Sequence, residues 1–232
     1  MAVIGGRAHI NGVTFATNTH VVRGRLTQGT VSISVRQLPG IRLFKLMDKV
    51  PFLRGVSSLA RLNLKLFLEI ILFLAIPWER IFPVSDFSGF DSIWACLAAY
   101  IMVLLILVVL LRRLWQFHGA EHKAFNSYTN GDDLTIMSVR TASRISNRCG
   151  TNMAVIAIPL AILLSFITMP LPLIVMVLAI SYEVFNRNFQ RYHFKPIAYI
   201  AEFIQKYIVT AEPTEEQILL ATATLSRAIE YS

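Results

Sequence analysis

The segment His118-Gly119-Ala120-Glu121-His122 concentrates residue types that bind metal ions and transfer protons. Its His118, Glu121 and His122 are spaced i, i+3 and i+4, so on a helix their side chains share one face. Two imidazoles one turn apart can bind one divalent ion, and the carboxylate can act as a further ligand or as a general base. The order H-x-x-E-H matches the inverted zinc-protease pattern, but three fixed positions make a weakly specific motif. A solvated His/Glu cluster is the alternative.

Cys149 and Glu183 are further candidate ligands, each close to the end of an apolar stretch. Two imidazoles, a thiolate and carboxylates suit zinc or a similar divalent ion. The predicted metal ligands are His118, His122, Glu121, Cys149 and Glu183. Glu121 is also the predicted catalytic residue. Two alternatives stay open, because Cys149 can be a small buried residue at a helix start, and Arg187 or Arg144 can neutralise Glu183.

The composition and the lengths of the apolar blocks predict a membrane protein. The chain of 232 residues is 55% hydrophobic and 16% charged, and its mean hydropathy is +0.57, whereas ordinary domains contain about 25% charged residues. A helix needs about 20 apolar residues to cross a bilayer. The predicted spans are 62–78, 93–111, 152–168 and 171–187.

Two parts of this topology have alternatives. The first contains Lys65 and Glu69, so it can instead be an interfacial or core helix. The last two are separated by Met169-Pro170-Leu171-Pro172, which predicts a turn because proline interrupts a helix. One long, kinked helix is the other interpretation of that region.

The distribution of positive charge predicts the orientation of these spans. Arg80 alone of the 22 Lys and Arg residues falls on the far side of the predicted bilayer. The positive-inside rule then places both termini in the cytoplasm, at the inner membrane of a bacterium. This topology accounts for the net charge of +8, so the lipid bilayer is the predicted partner and nucleic acid is not. A group of basic residues is predicted to face lipid headgroups, or to bind an anionic headgroup or phosphate: Lys123, Arg140, Arg144 and Arg148.

The predicted fold class is a mainly α, polytopic membrane protein with a small N-terminal β segment. The predicted division is a β-rich segment at 1–50, a four-span domain at 51–190 that carries the His118 cluster, and cytoplasmic helices at 191–232. Strands are predicted within 13–37, where apolar and polar residues alternate. An amphipathic helix is predicted over 196–209, and a second helix begins at Thr214, which forms a capping box with Gln217.

Several motifs in order resemble the YqhQ family of bacterial membrane proteins. These are Gly5-Gly6-Arg7-Ala8, Asn11-Gly12-Val13, Pro51-Phe52-Leu53-Arg54-Gly55, Phe117 to Lys123, Arg148-Cys149-Gly150-Thr151, Ile180-Ser181-Tyr182-Glu183 and Glu212-Pro213. The resemblance covers most of the chain and implies a membrane protein with a metal-dependent activity. Asn11 and Leu219 stand where the family usually has acidic residues, and this departure predicts an altered or inactive copy if those carboxylates serve the chemistry.

Three classes of function follow. The first is a metal-dependent hydrolase that acts at the cytoplasmic membrane face, with a divalent metal, in particular zinc, as its cofactor. The second is a non-enzymatic accessory or scaffold subunit that binds a protein partner or a second copy of the chain. The third and least favoured is a transporter, because the second and third predicted spans carry no charged residue.

Overall fold

A computed structural model of the chain describes residues 3–38, 46–47, 49–50, 72, 93–165, 177, 179–185 and 195–232. The strands are β1 (Val3–His9), β2 (Gly12–Thr17), β3 (His20–Thr27) and β4 (Thr30–Gln37). The helices are α1 (Ile93–Leu110), α2 (Arg112–Asn130), α3 (Ile136–Thr141), α4 (Gly150–Ser165), α5 (Lys195–Ile204) and α6 (Glu215–Glu230). A π-helical turn, Gln205–Val209, follows α5, and residues 179–185 are also helical.

The four strands form an antiparallel sheet in the order β1-β2-β3-β4. The turn between β3 and β4 is Gln28-Gly29, with φ of 49° and 76°. This left-handed backbone favours glycine and suits the twist of a two-residue hairpin. The strands predicted within 13–37 are confirmed, whereas β1 was not predicted because Gly5, Gly6 and Arg7 interrupt its apolar pattern.

One hydrophobic core joins the sheet to helices from the middle and the end of the chain. The sheet contributes Val3, Val13, Phe15, Val22 and Leu26. The helices contribute Phe117, Ala120, Ala124, Phe125, Val139, Ile218, Leu220, Ala221, Leu225 and Ala228. At the start of α6, Thr214 Oγ1 accepts from Gln217 N and Gln217 Oε1 accepts from Thr214 N, which confirms the predicted capping box. The sheet and α2 therefore hold the C-terminal helix in place.

The prediction of a polytopic α-helical membrane fold with about four spans is wrong. Within the described residues, no single helix has both the length and the apolar composition to cross a bilayer. Among the same described residues, one bent pair of helices meets that requirement by length and composition, where Ile101–Leu110 and Arg112–Asn130 meet at 70°. The structure instead combines the antiparallel sheet with helices that pack on it.

The prediction failed because an apolar block was equated with a straight helix. Leu111 ends α1, and from Arg112 onward the chain turns into α2, whose apolar residues pack on the sheet. The apolar part of α4 is short, at Gly150–Leu160. Almost all of the predicted span 62–78, the loop 79–92 and the turn near Pro170 lie outside the described residues.

Candidate metal centre

Helix α2 carries three of the predicted site residues and lies unusually close to the segment that follows α5. A Cβ atom at Gly119 would lie 2.3 Å from the carbonyl oxygen of Ala211. Only glycine permits that approach without displacing the backbone. The amide of Ala211 donates to the Trp115 carbonyl at 2.9 Å, which fixes the segment along the helix. The motif glycine between His118 and Ala120 therefore has a packing role.

The two imidazoles of α2 are each oriented by a backbone carbonyl from another part of the chain. His118 Nδ1 donates to Val209 O at 2.7 Å, and His122 Nδ1 donates to Arg144 O at 2.6 Å. A carbonyl can only accept, so the proton of each neutral ring is at Nδ1 and each Nε2 carries a free lone pair. Metal-binding histidines are typically held in this way, with the second nitrogen bonded to a carbonyl or carboxylate.

The loop between α3 and α4 brings Cys149 to the histidines. A buried network holds this loop: the Ser146 amide donates to Gln205 Oε1 at 2.8 Å, and Asn152 Nδ2 donates to Ser146 O at 3.0 Å. Gln205 also donates to Asn152 Oδ1 at 3.3 Å. The loop that presents the thiol is thus connected to the same π-helical turn that contains Val209.

The side chains of His118, His122 and Cys149 form a cluster that could hold a metal ion. One nitrogen or sulfur atom from each lies within 4.8 Å of the others. Cys149 Sγ is 3.6 Å from His118 Nε2 and 3.2 Å from Thr151 Oγ1, and the two imidazole centroids are 4.3 Å apart. Cys149 and His122 are buried, whereas His118 is partly exposed.

The two predicted acidic ligands do not belong to that group of atoms. Glu121 lies beside it, with Oε2 3.6 Å from His122 Nε2. It also packs against β1, because a Cβ atom at Gly6 would lie 2.2 Å from Glu121 Oε1. Glu183 is buried in the helical residues 179–185 but is not among the clustered ligand atoms. The assignment of Glu121 and Glu183 as ligands stays a prediction.

Burial keeps all four titratable groups at the centre neutral near pH 7. Desolvation lowers the pKa of His118, and it lowers that of His122 to about 3, with His118 as a second cause. Desolvation raises the pKa of the Glu121 carboxyl to about 8 and that of the Cys149 thiol to about 11. Glu121 and His122 are therefore neighbours without being an ion pair.

Three of the four basic residues predicted to face headgroups pair with acids of the chain, and the contact with headgroups stays a prediction. Lys123 Nζ is 2.7 Å from Glu212 Oε1, and Arg144 Nη1 is 3.0 Å from Glu212 Oε2. Arg140 pairs with Glu215. In the sequence, Glu212 stands out only as part of the family motif Glu212-Pro213. Nothing in its local sequence indicates that its side chain pairs with residues of two other segments.

The two positions that depart from the family pattern lie outside the ligand cluster. Asn11 is in the turn between β1 and β2, where its carbonyl accepts from the Leu26 amide at 2.7 Å. Leu219 is on α6 and is 44% exposed. The three clustered residues His118, His122 and Cys149 are thus intact irrespective of these two departures.

The fold and the cluster define a mixed α/β protein with a candidate His/His/Cys metal centre. The chain belongs to the family described as "Protein of unknown function (DUF1385)", whose profile matches residues 53–231. It is similar to the "Uncharacterized protein YqhQ" of Bacillus subtilis (strain 168), with 26% identity over 295 aligned positions that cover 97% of this chain and 92% of the relative. These matches confirm the resemblance to the YqhQ family. No solved structure matches the chain.

Proposed function

We propose that the protein is a metal-dependent hydrolase whose His118, His122 and Cys149 bind one divalent ion, with zinc as the preferred metal. The observation that supports it most strongly is that one ligand atom from each of His118, His122 and Cys149 lies within 4.8 Å of the others, while a backbone carbonyl holds the Nδ1 of each histidine. Nitrogen and sulfur ligands favour zinc over magnesium or calcium, which prefer oxygen. Three protein ligands leave a coordination position open, as catalytic zinc sites do.

Glu121 is the proposed general base. A divalent ion at the centre would act as a Lewis acid that makes a water molecule more acidic. The positive charge of that ion would favour the ionised form of Glu121, whose carboxylate, beside His122, would then accept the proton taken from the water. Packing of Gly6 against Glu121 keeps bulk water from one side of this carboxyl group.

Metal content tests the binding part of the proposal. The full-length protein, purified without chelator, should contain close to one equivalent of zinc by elemental analysis, and the double variant His118→Ala/His122→Ala should lose it. The matched control is His9→Ala/His20→Ala, which removes two histidines on the sheet and should retain the metal. Cobalt substitution should give a sulfur-to-metal charge-transfer band that disappears in Cys149→Ser. A protein that binds neither zinc nor cobalt would contradict the proposal.

Glu121→Gln tests the catalytic part. This variant keeps the size of the side chain but removes its ability to accept a proton, so it should retain zinc and lose hydrolysis of p-nitrophenyl phosphate, p-nitrophenyl acetate or a peptide mixture. Zinc-loaded wild-type protein that hydrolyses none of these would favour the second predicted function, a non-enzymatic accessory or scaffold subunit. The metal site would stand in that case and the hydrolase would not.

A further inference from the structure

The outer face of the sheet, opposite the core, gathers four arginines. The register pairs Arg7 with Thr14, Thr14 with Arg23 and Arg23 with Ser34, so these side chains point to the same face. Residues two positions apart on a strand also share a face, so His9, Arg25 and Arg36 lie on the same side of the sheet. We call this group the arginine face: Arg7, Arg23, Arg25, Arg36 and His9.

Among the residues that the structure describes, no acidic side chain forms an ion pair with the arginine face. Residues 3–38 contain four arginines and no Asp or Glu. Within the described part of the chain, the ion pairs involve other residues. Arg23 Nε is buried and has no hydrogen-bond partner. A buried donor without a partner is unfavourable, and an anion that accepted from Arg23 Nε would remove that cost.

The neighbouring groups respond to this concentration of charge. The pKa of His9 is lowered to about 4 by burial and then by Arg23, Arg7 and Arg25. Burial lowers the pKa of Arg23, and Arg25, Arg7 and Arg36 add to the effect. His9 is thus neutral at pH 7 and bonds through Nε2 to Thr14 Oγ1 at 2.8 Å. The four guanidinium groups form a positive field that an anion would relieve.

We propose that the arginine face binds a phosphate group, either free or as part of a phosphorylated ligand. The guanidinium fork matches the geometry of phosphate oxygens and bonds to them in pairs. Arg25 and Arg36 are exposed and Arg7 and Arg23 are half-buried, so the group has both accessible and fixed donors. A Cβ atom at Gly5, on the same face, would meet nothing within 4 Å, which leaves open space beside Arg7 for the ligand.

The dimensions of the arginine face favour a compact phosphate ligand over a nucleic acid. Arg7 and Arg23 are two strands apart, or about 10 Å between backbones, and Arg23 and Arg25 are about 7 Å apart along one strand. These long side chains can reach a single phosphate or diphosphate. The four described strands place no Phe, Tyr or Trp on this face, whereas single-stranded nucleic acid would require such side chains for its bases to stack on.

Calorimetric titration of the full-length protein with inorganic phosphate and pyrophosphate tests this site. All titrations are made at matched ionic strength with chloride, because screening weakens any charge interaction. We expect saturable binding that weakens at least tenfold in Arg25→Gln/Arg36→Gln. The control Arg112→Gln/Arg113→Gln removes the same charge at exposed positions of α2 and should bind like wild type. No saturable binding, or equal weakening by both double variants, would overturn the proposal.

Two further experiments identify the ligand and distinguish the arginine face from the candidate metal centre. His118→Ala/His122→Ala should still bind phosphate, because the arginine face does not depend on the proposed metal. Vesicles that contain phosphatidic acid distinguish a lipid headgroup from free phosphate, and phosphatidylcholine vesicles serve as the control. Phosphate binding that requires the metal ligands, or duplex DNA that binds through the arginine face while phosphate does not compete, would contradict the proposal.

Discussion

The two faces of the N-terminal sheet place titratable groups in opposite environments. On the inner face, Gly6 packs against Glu121, and the groups at the adjacent candidate metal centre are neutral because they are buried. On the outer face, Arg25 and Arg36 are exposed and charged. The faces differ by a single step in register, since neighbouring residues of a strand point to opposite sides. Residue type and burial therefore act together: the buried His, Glu and Cys groups on the inner side are neutral, whereas the arginines on the outer side keep their charge.

The largest expected effect is on folding, and it distinguishes a core position from an outer one. Phe15→Ala should lower the free energy of unfolding by about 3–5 kcal/mol, because it leaves a cavity in the core, where Phe15 is 0% exposed. Arg36→Gln, on the outer face, should change it by less than about 0.5 kcal/mol. Urea unfolding followed by circular dichroism measures both. Similar losses would mean that the outer face is also a packed interface.

The second prediction concerns the pH dependence of stability in metal-free protein. The pKa of Glu121 rises from 4.5 in the unfolded chain to about 8, so the folded state binds more protons between these values. The free energy of unfolding then falls as pH rises through that window. His122 has the opposite sign: its pKa falls from 6.5 to about 3, so it lowers stability as pH drops from 6.5 to 3.

The two contributions oppose each other between pH 4.5 and 6.5, and Glu121 acts without that offset between 6.5 and about 8. Wild-type protein should therefore lose stability from pH 6.5 to pH 8, and Glu121→Gln should remove most of that loss. Urea unfolding at the two pH values measures the difference. If the free energy of unfolding changes equally with pH in both proteins, the Glu121 carboxyl group is not buried against Gly6.

The smallest predicted effect is on metal affinity and comes from a residue that is not a ligand. Glu212 holds Arg144, whose carbonyl orients His122, and Lys123 of α2. Glu212→Gln should weaken zinc binding roughly tenfold, at the lower end of the 10–100-fold loss typical for groups that orient ligands. Glu215→Gln, which removes an acid that pairs with Arg140 instead, is the matched control. Competition with a chromogenic chelator measures the zinc affinity of each variant. Equal affinities in Glu212→Gln and Glu215→Gln would show that Glu212 acts only through its charge and does not help to orient His122.

Local patterns in the sequence were interpreted correctly where neighbouring residues decide the structure. The spacing of His118, Glu121 and His122 placed them on one face of a helix, and the alternation of Val31, Ile33 and Val35 predicted a strand. The Thr214–Gln217 capping box marked the start of α6. Each of these depends on contacts within about one turn or one strand.

The membrane fold was predicted wrongly because apolar length does not show which surface a helix packs against. Most of α2 is close to the sheet, and Phe117 and Ala124 enter a core that includes residues near both ends of the chain. Contacts between residues so distant in sequence depend on the full three-dimensional packing. For the same reason, the ion pairs of Lys123 and Arg144 could not be predicted, because their acid partner Glu212 lies far along the chain.

The sequence by itself determined the chemical types at the centre and the helical spacing of its two histidines. Tertiary structure decided that Cys149 joins them while Glu183 stays outside the cluster. It also decided the tautomers, because the carbonyls of Val209 and Arg144 arrive from other segments. Protonation likewise follows from desolvation, which arises only when the strands and helices enclose the site.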